Sequence, residues 1–148
     1  VYNINGDLKG YGFRPGTDYC KYLIFGFKKR EQLYGINFAM GSILEKNKVY
    51  IVEGYFDVLA AFSKGIRNVV SIFGNTISTS QAYTLASLTD NFVFMLDSDT
   101  SGINGSTKSE KLVKKILPNV NVSSVLLYPY KDLNEKLMSI GEEDVRRL

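Results

Sequence analysis

Carboxylates stand just beyond three apolar runs of this chain, and no other pattern in it is as able to do chemistry. Glu53 follows Val49-Tyr50-Ile51-Val52, and Asp97 and Asp99 follow Phe92-Val93-Phe94-Met95-Leu96. Asp132 follows Val125-Leu126-Leu127 and a Tyr128-Pro129-Tyr130-Lys131 link. If the apolar runs are buried parallel strands, the acids meet at one sheet edge, where α/β proteins bind ligands. Clustered carboxylates suit hard divalent cations such as Mg²⁺ or Mn²⁺. Asp97 and Asp99, one residue apart, can aim at one cation, although one of them could instead cap the following helix. Asp57 lies one helical turn after Glu53, where it could join the cluster or simply favour the positive start of a helix. Asp132 could equally cap a helix beginning at Leu133. The chain has no histidine, which excludes Ser-His-Asp and Cys-His catalysis and nearly every zinc site.

The elements that must position these acids alternate from Val49 onward. Short β-branched and aromatic runs predict strands at 49–52, 69–73, 91–96 and 122–127. Helical spacing of Phe56, Leu59, Ala60 and Phe62 predicts a helix that Gly65 stops. Ser78 precedes Gln81 by three, a capping-box pattern opening a helix to about residue 87. Further helices are expected over 102–116, 133–140 and 142–147. Strand–helix alternation with crossovers of this length predicts an α/β fold with a mostly parallel sheet of about four strands, its helices on the faces. Residues 1–48 differ: glycines punctuate short aromatic pieces, suggesting a small hairpin-rich segment and then a helix near 33–44. The division expected is therefore a basic lead-in over 1–48 and a main domain over 49–148.

The length of 148 residues suits one domain. With 45% hydrophobic and 13% aromatic residues, the chain can bury a core and is not of disordered composition. No apolar run approaches the ~20 residues needed to span a bilayer, so no membrane partner is expected. The single cysteine, Cys20, excludes an internal disulfide and fits a reducing cytoplasm. Residues 1–50 carry eight Lys/Arg against four Asp/Glu, the remainder ten against eleven. A basic first third beside an acid-centred remainder suits an anionic partner held near a metal, although a solvated basic surface would have the same balance. Arg14, Lys21, Lys28, Lys29 and Arg30 are interleaved with Tyr11, Phe13, Tyr19, Tyr22, Phe25 and Phe27. That mixture suits a phosphate backbone with exposed bases, or a small satellite core under solvated lysines.

Taken in order, Val-Glu-Gly-Tyr-Phe-Asp-Val (52–58), Phe-Gly-Asn-Thr (73–76), Asp-Ser-Asp-x-x-Gly (97–102) and Lys-Asp-x-Asn-Glu (131–135) resemble the TOPRIM domain of bacterial-type (DnaG-like) DNA primases. Upstream, Gly10-Tyr11-Gly12-Phe13-Arg14, Lys21-Tyr22-Leu23 and Leu33-Tyr34-Gly35 resemble the segments that lead into that domain. The resemblance implies a TOPRIM fold and metal-dependent synthesis of RNA primers on a single-stranded DNA template, a nucleotidyltransferase activity. It implies Glu53 as the catalytic acid, Asp97 and Asp99 as its Mg²⁺ or Mn²⁺ pair, and Asp57 and Asp132 as completing the site. Arg14, Lys21, Tyr22 and Lys29 would hold template and nucleotide phosphates. Ribonucleoside triphosphates and a replicative helicase are the further partners implied. Asn134 stands where the family usually has a second aspartate, Ser98 where glycine is common, and the stretch between Tyr22 and Phe27 is short. The sequence shows no zinc motif and no helicase-binding region, so it is expected to be the catalytic-core fragment of a longer primase; a phage or mobile-element source is compatible with that. Two other readings share the acids: a TOPRIM-type nuclease, against which residues 10–35 argue, and a non-catalytic nucleic-acid-binding module, which the presence of Glu53 and both aspartates weakens.

Overall fold

In the computed structural model, which describes residues 1–13 and 23–140, the chain opens with an antiparallel hairpin of β1 (Tyr11–Phe13) and β2 (Leu23–Phe25), followed by a 3-10 turn at Lys29–Glu31. Then come α1 (Ile36–Lys46), β3 (Val49–Val52), α2 (Tyr55–Ser63), β4 (Val69–Ser71), α3 (Thr79–Ala86), β5 (Asn91–Phe94), α4 (Thr100–Ile116), β6 (Asn121–Ser124) and α5 (Leu133–Ser139). The expected α/β architecture is present: β4, β3, β5 and β6 form, in that order, a four-stranded parallel sheet. Among the described residues no helix is long and apolar enough to cross a membrane.

Side chains alternate across a strand with period two, and here both sets are apolar because both sheet faces are covered. Val49, Ile51, Val70, Phe92 and Phe94 pack on one face with Ile36, Ala39 and Ile43 of α1, Ala82 and Leu85 of α3 and Val113 of α4. Val52, Val69 and Met95 pack on the other with Val58 and Ala61 of α2 and Leu133 and Leu137 of α5. The expected division at 48/49 marks where strand–helix alternation begins, while packing crosses it through α1. The hairpin is a regular antiparallel pair and aromatic; Phe25 stacks on Tyr11 and Phe13, with ring centroids 5.2 and 6.4 Å apart.

Several element ends differ from the expected ones, each for a local reason. The first helix begins at Ile36, not 33, because Gly35 is left-handed (φ 84) and Tyr34 is extended. Tyr34 exchanges both backbone hydrogen bonds with Ser71, at 2.9 and 3.1 Å. β4 stops at Ser71 because the chain reverses at Phe73, whose φ is 58. β5 and β6 end at Phe94 and Ser124 rather than 96 and 127. In β6 only Val122 packs against the core, and the apolar Val125-Leu126 that suggested a longer strand is exposed. The helix expected at 142–147 lies outside the described residues. The capping box holds: Ser78 Oγ accepts the Gln81 N–H at 3.1 Å and Gln81 Oε1 accepts the Ser78 N–H at 2.9 Å.

Candidate active site

The sheet order creates the site. From β3 the chain first goes to β4 on one side, then crosses to β5 on the other, so the carboxyl ends of β3 and β5 lie side by side while their connections diverge. That crevice is where open α/β sheets bind ligands. Glu53 is the first residue after β3, and Asp97 follows β5 by three. The Asp97 N–H donates to Glu53 Oε1 at 3.2 Å, so the two acids are joined directly. Glu53 is fixed at its backbone as well, because the buried Ser71 Oγ donates to its carbonyl at 2.6 Å and accepts the Phe73 N–H at 3.1 Å.

Glu53, Asp57, Asp97 and Asp132 share one cavity of about 440 Å³ with Lys29, Lys131, Tyr55, Phe56 and Phe73. Burial, reinforced by the Asp97 charge, pushes the Glu53 carboxyl up to about 7. Burial, and then the Asp57 and Asp132 charges, push Asp97 up to about 6, with the Lys131 ammonium partly opposing. Asp57 is also raised by burial, opposed by the backbone N–H of Asn134.

The remaining acids already have structural work. Asp57 Oδ2 accepts the Gly54 N–H at 3.1 Å and Oδ1 accepts the Asn134 N–H at 2.9 Å. Its carboxylate thus brackets the starts of α2 and α5. Asp57→Asn is expected to lower stability by about 1–2 kcal/mol, since one of the two bonds loses its acceptor in a buried setting; a urea unfolding midpoint measures it. Asp132 caps α5 through the Glu135 N–H at 2.8 Å. Asp99 caps α4 through the Gly102 N–H at 2.9 Å, is exposed, and is not a wall of the cavity, although its charge raises both Glu53 and Asp97.

The donor set fits a hard divalent cation. It is all oxygen, and it holds carboxyls whose protons a cation would displace. Among the described residues, no three carboxylates are closed up as a metal cage; the acids are spread around the cavity.

Sequence reasoning located Glu53, Asp57, Asp97, Asp132 and Lys29, and the structure brings these five to one cavity. Arg14, Lys21 and Tyr22 lie outside the described residues. It assigned no role to Lys131, although its place next to Asp132 was a signal, nor to Phe73. It also read Gly102 as a helix opener, whereas α4 begins at Thr100 and Gly102 is a contact. A β-carbon there would stand 2.1 Å from the Asp97 carbonyl oxygen and 2.8 Å from Glu53 Oε1.

Comparison with known proteins agrees with this geometry. The DNA primase of Aquifex aeolicus is 35% identical over 127 residues, covering 82% of this chain and 24% of that protein. The structure of a DNA primase domain from Pseudomonas aeruginosa superposes with a TM-score of 0.87 at 27% identity, over 99% of this chain and 48% of that one. A DnaG primase catalytic domain bound to single-stranded DNA gives a TM-score of 0.80 at 26% identity, over 99% and 48%. The fold is therefore that of the DnaG catalytic core, of which this chain spans about half, and it spans about a quarter of the full-length primase. The Toprim-like family model matches residues 50–137, from β3 through most of α5. With all of the parallel sheet but Val49, and its acidic edge, inside that match, the chain belongs to the Toprim-like family.

Proposed function

We propose that this chain carries the metal-dependent catalytic site of a DNA primase, which joins ribonucleotides into an RNA primer on a single-stranded DNA template. The observation that carries the reading is the pairing of Glu53 with Asp97 in a cavity that Lys29 and Lys131 also line. The primase relatives, and the DnaG relative seen with single-stranded DNA, support it.

In this reading Glu53, Asp97 and Asp99 hold Mg²⁺ or Mn²⁺. Such a cation, when bound, lowers the pKa of an attacking hydroxyl and neutralises phosphate charge. The chain's own groups do the rest. Lys29 and Lys131 hold phosphate oxygens against the acids, which fixes the reacting atoms in place. The 3′-hydroxyl oxygen attacks the α-phosphorus of a ribonucleoside triphosphate, the bond to the β-phosphate oxygen breaks, and pyrophosphate leaves. Asp97 and Asp99 are the principal ligands, and Glu53 beside them either joins them on the cation or takes the hydroxyl proton as a general base. Arg14, Lys21, Tyr22 and Lys29 contact the template backbone with little sequence preference. A replicative helicase is the proposed partner through segments other than these, and the cytoplasm the proposed place of work.

The test is incubation with single-stranded DNA, the four ribonucleotides and Mg²⁺ or Mn²⁺, for this chain and for Glu53→Gln. Cation-dependent incorporation that the variant loses is the expected result. Cation-dependent degradation of the DNA without incorporation would move the assignment to a nuclease.

A further inference from the structure

One buried amide joins the basic turn to the acid-lined cavity. Gln81 is 1% exposed. Its Oε1 completes the capping box of α3, but its Nε2 does nothing for that helix. Nε2 stands 3.0 Å from the Lys29 carbonyl oxygen, 2.8 Å from that of Gln32 and 3.1 Å from that of Ile72. Its partner in the box behaves alike: Ser78 Oγ accepts the Gln81 N–H and donates to the Arg30 carbonyl at 2.5 Å.

A capping box needs only the acceptor oxygens of its two side chains. Here the spare donors all go to the backbone of residues 29–32 and to Ile72, the residue before the left-handed Phe73. An amide has two N–H groups, so three carbonyls around Nε2 hold it in place from several directions. Lys29 and Phe73, the residues these carbonyls belong to or precede, are both walls of the cavity.

We propose that Gln81 is a positioning residue: it pins the 29–32 turn and the Ile72–Phe73 corner to the core, so that Lys29 faces the carboxylates from a fixed backbone and can hold a nucleic-acid phosphate there. The inference rests on the reading above that Lys29 meets phosphate. A lysine side chain is long and flexible, and its ammonium is localised only as far as its backbone is. Capping alone would require no donor bonds to a segment some fifty residues upstream.

The test compares single-stranded DNA binding across salt concentrations for the chain, Lys29→Ala, Gln81→Met and the double variant. Mn²⁺ affinity and thermal midpoint are measured on each. Gln81→Met keeps the size and loses every side-chain hydrogen bond, while the backbone N–H bond to Ser78 Oγ remains. It is expected to flatten the salt slope by about one, as Lys29→Ala does. The double variant should be no weaker than either single one, and Mn²⁺ affinity should stay within about twofold of the parent. Losses that add in the double variant would overturn the proposal, as would unchanged binding in Gln81→Met beside weakened binding in Lys29→Ala. If Lys29→Ala binds as the parent does, the phosphate role of Lys29 fails, and amide hydrogen exchange decides the clamp. The Glu31 and Gln32 amides, which donate to the Lys28 and Lys29 carbonyls at 2.9 and 3.3 Å, must then exchange at least about tenfold faster in Gln81→Met while those of β3 and β5 do not. Equal exchange would overturn it. Gln81→Glu, which keeps the cap acceptor and loses the Nε2 donors, serves if Gln81→Met does not fold.

Discussion

Gly102→Ala is expected to destabilise the protein by about 3 kcal/mol, the upper end of ordinary overpacking, and to weaken Mn²⁺ binding by about 10–100-fold. The sign opposes intrinsic propensity, because alanine inside a helix normally gains about 1 kcal/mol over glycine. At this position the new methyl would lie 2.1 Å from the Asp97 carbonyl oxygen and 2.8 Å from Glu53 Oε1. The first obstacle is backbone and cannot rotate away, so the start of α4 must lift from the sheet edge. Lifting it takes Asp99, which caps that helix through Gly102 itself, away from Glu53 and Asp97. Gly105 sits three residues on, where a β-carbon would be 1.9 Å from the Asn75 carbonyl oxygen, so the helix cannot pivot about its next turn to relieve the strain. Urea unfolding and Mn²⁺ titration by electron paramagnetic resonance measure the two effects. A Gly102→Ala protein more stable than the parent would show that α4 does not approach the acids as described.

Stability without a cation is expected to fall as pH rises, and the cation is expected to reverse the trend. Glu53 is raised from 4.5 to about 7 and Asp97 from 3.8 to about 6. A carboxyl with a raised folded-state pKa favours the folded protein while protonated, so its contribution is complete below its ordinary pKa and is lost as pH passes through the raised value. The window therefore runs from about pH 4 to about pH 7. Both groups are half-exposed, and solvent screening reduces their joint effect to about 1 kcal/mol, a fall in thermal midpoint of ~2–4 °C for a chain of this size. Mn²⁺ binds the deprotonated pair, so its affinity should climb by about tenfold per pH unit for each proton displaced and level off above about pH 7. Asp97→Asn should remove one proton from that slope and weaken binding throughout. Glu53→Gln should raise the cation-free midpoint near pH 8 and leave it nearly unchanged at about pH 4. Mn²⁺ affinity that is flat across this range would rule out these two carboxyls as ligands.

The order of strands and helices was legible because both sides of the sheet are covered, which makes each strand a short continuous apolar run. Its carboxyl edge was legible for the same reason, since Glu53 and Asp97 interrupt those runs. Strand ends were not legible: Phe73 is as apolar as the strand before it yet takes a left-handed turn, and Val125-Leu126 is apolar yet exposed. Gly102 was seen as glycine but not as a contact, because the atoms it approaches lie five and forty-nine residues upstream. Gln81 was read as half of a helix cap, and its Nε2 bonds were invisible because they depend on how the 29–32 turn docks. Of the basic residues picked out, Lys29 lines the cavity, and Arg14, Lys21 and Tyr22 fall in the stretch that is not described.

The Tyr34–Ser71 backbone pair has a consequence for solubility. Outer strands of a sheet carry unpaired N–H and C=O groups that can recruit another molecule, and proteins guard against such self-association. On the β4 side Tyr34 occupies the Ser71 groups, so a neighbouring molecule finds its template interrupted. On the far side β6 is Asn-Val-Ser-Ser, too polar to zip apolar ribbons together, and its Ser124 hydroxyl is engaged by Glu110 of α4. One rim is interrupted at Ser71 by the chain itself and the other is polar, so neither outer strand of this mainly helical molecule offers a long apolar template to a second copy.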